Sequence, residues 1–292
     1  MAELRADHLV ETEWLAAHLD DPALRVVDLR GVVHTETEPD GFQRARYLGA
    51  PERYAAGHIP GAVYLNWTSD LVDEHDPVPA QAAPPEKLAR VFGAAGIGDR
   101  TEVVVYDDHP ALQFATRLWW LLRFAGHDQC RVLNGGWSRW VAEGRPVAAA
   151  SAAPTPAVFT PRMRPEWRRT ADEVLAGLAD PTVQLLDARD AGQYSGRIRR
   201  GVRGGHIPGA LHLPREALVG EDRCFLPADV LSRTISTAGL SPDRPVTAYC
   251  NGGVAATSVL FALSMLGFPR LANYDGSWNE WNQRLDLPVE AG

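Results

Sequence analysis

The chain has 292 residues, 45% of them hydrophobic, and a formal net charge of -8. That length allows one large domain or two ordinary ones with a sizeable core, and no apolar run reaches the ~18–20 residues a membrane-spanning helix needs. The acidic balance argues against nucleic acid or an anionic membrane as partner, while a small anionic ligand could still be held by a local arginine cluster or by backbone amides.

In chain order, the start Met1-Ala-Glu-Leu-Arg-Ala-Asp lacks the basic start and apolar stretch of a signal peptide. "RVVDLR", ending at Arg30, is a short β-branched run of buried-strand type, and "GHIPGAVYL" follows at Gly57–Leu65. "TEVVVYD" reads as a further strand ending near Asp107, and "FATRLWWLLRFAG" as a helix stopped by Gly126. "NGGWSRW" places Trp137 and Trp140 on one helix face, as core residues. Ala148–Pro165 is rich in Ala and Pro, poor in periodic apolar residues, and reads as a linker.

The second half repeats this order. "VQLLDAR" ends at Arg189, "GHIPGALHL" runs from Gly205 to Leu213, and "PVTAYC" ends at Cys250. "AATSVLFALSMLG" stops at Gly267, and "DGSWNEW" carries the pair Trp278 and Trp281. Blocks matching in the same order, at a period of roughly 145–160 residues, indicate a tandem duplication of a whole domain. The expected domains are 1–147 and 166–292, joined by a linker at 148–165. Strands alternating with helices imply an α/β fold in each, a mainly parallel sheet covered by helices on both faces. In such sheets ligands bind beyond the carboxyl ends of the strands, where Asp107 and Cys250 fall.

The three cysteines, Cys130, Cys224 and Cys250, are odd in number and far apart, so neither a disulfide framework nor a zinc site is expected, and a reducing, cytoplasmic setting fits. Cys250 alone opens a glycine-rich turn into a helix. Gly252 and Gly253 let successive N–H groups turn inward as a nest, and the helix N-terminus adds its unpaired amides and partial positive charge. Such surroundings favour the thiolate, which is the nucleophile, and would equally hold an anion bonded to it. The alternative is a tight turn around a small buried residue. Asp107 at the matching place in the first copy shows that packing demands no small apolar side chain there.

Asp-x-Arg after a strand, Gly-His-Ile-Pro-Gly-Ala, Cys-x-x-Gly-Val-Ala opening a helix, and Tyr-Asp-Gly-Ser-Trp-x-x-Trp together resemble the tandem-domain rhodaneses, the thiosulfate and 3-mercaptopyruvate sulfurtransferases. The resemblance spans nearly the whole chain. It implies two rhodanese-like domains, the first without a nucleophile, and sulfur transfer by double displacement through a Cys250 persulfide. The loop Asn251, Gly252, Gly253, Val254 and Ala255 would stabilise that persulfide. A small anionic donor and a thiol or cyanide acceptor (a thiol-bearing protein included) are the expected partners, with no metal and no organic cofactor.

The donor stays open. Thiosulfate-specific members usually carry two basic residues after the cysteine, where this chain has Asn251 and Gly252. Mercaptopyruvate-specific members usually place a serine of a Ser-His-Asp set where this chain has Gly252. His58 survives, without an acidic partner in "RYLGAPERY". Arg189 matches the family's substrate-binding arginine, yet Arg30 holds the same place in the other copy, where Asp-x-Arg braces a turn; the two readings are compatible. Arg197, in a basic run with Arg199, Arg200 and Arg203, is a second candidate for the donor's carboxylate or sulfonate. His206 is read as structural, and Cys130 and Cys224 as inert. A phosphatase would need an arginine six positions after the cysteine, where Ala256 stands. A sulfur-relay protein and an idle interaction module are the remaining alternatives.

Overall fold

The structure, a computed structural model, describes residues 8–149 and 153–291, so the first seven residues, linker residues 150–152 and Gly292 lie outside it. The first half contains β1 (Leu9–Val10), α1 (Thr12–Ala17), β2 (Leu24–Asp28), β3 (Gly31–Thr37), β4 (Gln43–Gly49) and α2 (Pro51–Ala56). It continues with β5 (Val63–Tyr64), α3 (Pro85–Ala94), β6 (Glu102–Tyr106), α4 (Gln113–Phe124), β7 (Cys130–Leu133) and α5 (Gly136–Ala142). The second half runs β8 (Arg168–Arg169), α6 (Ala171–Gly177), β9 (Gln184–Asp187), α7 (Ala191–Tyr194), β10 (Leu211–His212) and α8 (Ala228–Thr237). It closes with β11 (Val246–Tyr249), α9 (Ala256–Met265), β12 (Leu271–Tyr274) and α10 (Ser277–Trp281).

Two five-stranded parallel sheets result, in the orders β1-β7-β6-β2-β5 and β8-β12-β11-β9-β10. Each strand of the first has its counterpart at the same place in the second, so the duplication legible in sequence is a duplication of topology. Alternation on β6 shows why both faces are covered: Val103 and Val105 enter one apolar cluster, Val104 and Tyr106 another. On β11, Val246 and Ala248 face the first of these clusters and Tyr249 faces a third.

The shared cluster is the domain interface. Helices α4 and α9, one from each copy, pack there, with Trp119 edge-on to Phe261 at 5.0 Å. Every residue of α9 is buried, which is why its sequence is apolar almost all round rather than on one stripe. Gly126 and Gly267 end the turns after these helices at φ +89° and +82°, a conformation that favours glycine.

Two features depart from the sequence reading. β3 and β4 form an antiparallel hairpin outside the main sheet, pairing from Gly31↔Gly49 to Thr37↔Gln43. Its tip reaches the second domain, where Gln43 N–H donates to the Arg199 carbonyl and Arg199 N–H to the Gly41 carbonyl, both at 2.8 Å. The linker after residue 152 also follows a fixed course. Phe159 is buried edge-on to Phe92 at 5.0 Å, and Arg162 and Arg164 donate N–H groups to Ala125 and Phe124. Aperiodic sequence kept residues 153–164 out of the helices and strands without keeping them out of the core.

Candidate active site

Central strand β11 delivers Cys250 to the carboxyl edge of the second sheet, and the six-residue turn 250–255 leads directly into α9. The backbone of this turn divides by polarity. Five of its six carbonyls are engaged: Cys250 O accepts from Trp278 N–H, Asn251 O from Asn279 N–H, and Val254 and Ala255 O from Thr257 and Ser258 N–H, with Gly253 O taken by side chains. The Gly253 carbonyl accepts from Arg117 Nη1 at 3.1 Å and Asn273 Nδ2 at 2.9 Å. Among the described residues, no protein acceptor receives the N–H of Asn251, Gly252, Gly253, Val254 or Ala255. Buried amides without partners are costly unless something else accepts from them. Beside one thiol, five such donors make an anion cradle.

The cradle is held from both domains. Arg117 on α4 also donates to Asp275 Oδ1 (2.6 Å) and the Ala80 carbonyl (2.8 Å), and Asp275 Oδ2 accepts from Ala82 N–H. Gly253 sits at φ +69°, and a Cβ there would meet the Asp275 carbonyl at 2.7 Å, so only glycine fits without displacement. Cys250 N–H is taken by Ser277 Oγ at 3.1 Å.

The first domain shows the same turn filled by its own side chain. Asp107 carboxylate oxygens accept from His109, Phe114 and Ala115 N–H, each at 2.8 Å. Full burial pushes the pKa of Asp107 up to about 7, against the pull of those amides. Here the acceptor is a built-in carboxyl group; in the second domain the place beside the amides holds a thiol.

Cys250 faces a cavity of about 300 Å³ between the domains. The second domain lines it with the loop, Asp190, Gln193, Arg200 and Arg215; the first domain contributes Val33, Thr35, Gln43 and Tyr47 from the hairpin, with His109 and Gln113. Three side-chain amides cross the gap: Asn251 Nδ2 donates to Gln193 Oε1, and Gln193 Nε2 donates to Gln43 Oε1, both at 2.8 Å. His109 Nδ1 accepts from Ala111 N–H at 3.1 Å, which leaves the ring proton on Nε2. Burial, reinforced by Arg215 and Arg223, takes the His109 pKa down to about 3, so this imidazole is neutral at pH 7.

Arg189 is not in that lining. Its Nε and Nη2 bind the Asp187 carboxylate at 2.6–3.0 Å, Nη2 also binds the Gly205 carbonyl at 2.7 Å, and the guanidinium lies 4.3 Å from the Trp278 ring centre. Arg30 repeats the pattern with Asp28, Gly57 and Trp137 at almost the same distances. Arg189 thus has the geometry of a brace and lies outside the cavity lining. Arg197 is exposed and also outside the lining. Of the same basic run, Arg200 reaches the cavity, Arg199 pairs with Asp40 (3.6 Å), and Arg203 binds four carbonyls near the carboxyl end.

His58 and His206 occupy equivalent turns, Nδ1 on the carbonyls of Tyr54 and Tyr194 and rings stacked on those tyrosines at 3.9 and 3.8 Å. Neither lines the cavity. Cys130 and Cys224 are buried, with pKa values pushed up to about 12 and about 11. Tyr47, His109, Gln193 and Arg215 escaped the sequence reading because nothing in their local pattern differs from an ordinary strand or loop. Arg200 alone lay in a flagged run.

The rhodanese-like domain family matches residues 11–143 and 170–284. The chain is 34% identical over 284 residues to a 3-mercaptopyruvate sulfurtransferase of Escherichia coli (strain K12), covering 96% of this chain and 97% of that protein. It is 32% identical over 310 residues to a mitochondrial thiosulfate/3-mercaptopyruvate sulfurtransferase of Arabidopsis thaliana, covering 98% and 79%. A sulfur carrier protein of Thermus thermophilus is 31% identical over 297 residues, covering 97% and 96%. Among solved structures, a 3-mercaptopyruvate sulfotransferase from Escherichia coli superposes with a TM-score of 0.80 at 31% identity, covering 92% of this chain and 98% of that one.

Proposed function

The chain belongs to the rhodanese family, among the tandem-domain thiosulfate/3-mercaptopyruvate sulfurtransferases, and from that premise we propose that it moves a sulfane sulfur from thiosulfate or 3-mercaptopyruvate to a thiol or cyanide through a Cys250 persulfide. The Cys250 thiolate attacks the outer sulfur of the donor, and the persulfide anion that forms rests on the amides of Asn251 to Ala255. An acceptor then attacks the outer sulfur and restores the thiolate. The first domain, with Asp107 filling its own turn, is the non-catalytic half and supplies one wall of the cleft.

The observation that carries this reading is the division of the loop, five of its six carbonyls bonded within the protein and five amides left without a protein acceptor in the turn that holds the thiol. The donor's carboxylate or sulfonate belongs with Arg200 and Arg215, the guanidinium groups in the cavity lining. Arg215 pairs through Nη2 with Glu216 at 2.7 Å, while its buried Nε has no hydrogen-bond partner and is left to donate to an anion. A protein thiol as acceptor is a second reading, favoured by the likeness to a sulfur carrier protein. A cytoplasmic setting is part of the same proposal. Among the described residues no helix is long and apolar enough to cross a membrane.

Steady-state sulfur transfer tests it. Double displacement predicts parallel reciprocal plots when donor and acceptor are varied together. Cys250→Ser should abolish transfer, and Cys130→Ser or Cys224→Ser should leave it. Intersecting plots, or activity surviving in Cys250→Ser, would overturn the mechanism.

A further inference from the structure

The loop around Cys250 carries no hydroxyl group of its own between Asn251 and Ala255. The nearby hydroxyls of its own domain are engaged as donors: Thr257 Oγ1 to the Val254 carbonyl (2.6 Å), Ser258 Oγ to the Ala111 carbonyl (2.9 Å) and Ser277 Oγ to the Tyr274 carbonyl (2.7 Å). The other domain brings one to the loop. Tyr47, on hairpin strand β4, lines the cavity, and a Cβ placed on Gly252 would lie 3.3 Å from its Oη.

The surroundings of that oxygen fix what it can do. Tyr47 Oη accepts from Arg200 Nη2 at 2.8 Å and from Asn279 Nδ2 at 3.2 Å. Two accepted bonds leave a phenol only its own proton to offer. Among the described residues no acceptor receives that proton. Asn279 also ties its backbone N–H to the Asn251 carbonyl at 2.8 Å, so the phenol and the loop share one anchor. The ring is fixed edge-on to Trp67 at 5.4 Å. Thr35, the other hydroxyl in the lining, stands on the exposed part of the hairpin. His109 offers a second neutral N–H to the cavity, but nothing places it at Gly252.

We propose that Tyr47 is a catalytic residue contributed by the first domain, its Oη–H donating a hydrogen bond to the oxygen that becomes negative when the donor is an α-keto thiol. The assignment rests on the sulfurtransferase reading above and specifies the donor chemistry of the same cleft. With 3-mercaptopyruvate, the Sγ–S bond to Cys250 forms as the donor's S–C bond breaks. The electron pair departs on the methylene carbon as the enolate of pyruvate, so the carbon is reduced as the sulfur is oxidised to the sulfane level. The proton of the donor thiol, now on the persulfide, passes to that carbon, leaving Cys250–S–S⁻ and pyruvate. Tyr47 stabilises the enolate oxygen through this step and ends unchanged. With thiosulfate the S–S bond breaks and sulfite leaves with the electron pair, with no enolate to stabilise. A donor aimed at developing charge matters for the first substrate far more than for the second.

The test uses the full chain and both donors. Tyr47→Phe keeps the ring against Trp67 and removes only the hydroxyl. The expected result is a fall of about 100-fold in kcat with 3-mercaptopyruvate, the scale for loss of one such donor, at least tenfold larger than any fall with thiosulfate. Removing Oη also opens room beside position 252, where φ is not left-handed. Gly252→Ser in the Tyr47→Phe background should therefore restore most of the loss with 3-mercaptopyruvate, which a defect of packing would not allow. Equal losses with the two donors, no recovery in the double variant, or a wild-type protein that turns over thiosulfate alone would overturn the assignment. Wild-type protein that takes sulfur from neither donor would sink the sulfurtransferase reading itself, a distinguishable failure.

Discussion

Replacing Arg189 by Ala separates a brace from a substrate ligand. Asp187 is fully buried, and Arg189 supplies three short contacts to its carboxylate. Removing the guanidinium leaves a buried carboxylate without its cation, a change that costs about 3–5 kcal/mol. Loss of the cation over Trp278 adds on the order of 1 kcal/mol. For a domain of this size that is a fall of roughly 10 °C or more in Tm. Arg30→Ala removes the matching brace, 2.6 Å from Asp28, in the domain without a nucleophile, and should cost a similar amount. The assay is thermal unfolding of both variants beside donor KM measured well below the transitions. The bracing account expects matched losses of stability and a KM within about threefold of wild type for Arg189→Ala. An unchanged Tm with KM raised tenfold or more would refute it.

Other outcomes follow from the same geometry. Arg215→Ala, which removes a guanidinium from the cavity lining, should raise donor KM at least tenfold with little change in Tm; both are read from the same pair of assays. Gly253→Ala combines left-handed strain of about 1–2 kcal/mol with a Cβ 2.7 Å from the Asp275 carbonyl, and should slow persulfide formation far more than Gly252→Ala, whose Cβ meets only side chains at 3.1–3.6 Å. Equal effects in single-turnover kinetics would contradict the account of the amides. Asp107→Ala leaves three backbone amides unpaired, a loss on the order of 3 kcal/mol, and added sulfate should raise its Tm more than that of wild type. The pH dependence is signed by His109, whose folded pKa lies near 3 and so below the unfolded value of about 6.5. Its contribution is present above pH 6.5 and declines as pH falls, by about 2 kcal/mol at pH 5. Asp107, raised to about 7, works in the opposite direction, losing its contribution as pH rises from about 4 to 7. The difference between wild type and His109→Gln in unfolding at pH 7 and pH 5 therefore isolates the imidazole; a pH-independent difference would contradict its burial as the neutral form.

The duplication and the nucleophile loop were legible because both are local. Strand runs such as "VVVYD", glycine stops at Gly126 and Gly267, and a thiol before Gly252 and Gly253 each declare themselves within a few residues. The cleft was not, because it is made between copies. Tyr47 meets Arg200 across 153 positions of chain, and Gln43 meets Gln193 across 150. The hairpin that carries Tyr47 and Gln43 has charged and polar residues at half of its strand positions, so no apolar alternation announced it. Arg189 is the converse case. Asp-x-Arg is a strong local pattern, and Arg30 makes the same contacts in the domain without a nucleophile, as a brace would.

Cys250 as carrier of the sulfur is the central claim, and peptide-resolved mass spectrometry tests it most directly. The full-length protein is incubated with thiosulfate or with 3-mercaptopyruvate, freed of excess donor, alkylated and digested. The account predicts one added sulfur, about 32 Da, on the peptide containing Cys250, absent from those of Cys130 and Cys224 and lost on treatment with cyanide. Unmodified Cys250 with both donors, or sulfur found on Cys130 or Cys224 instead, would contradict it.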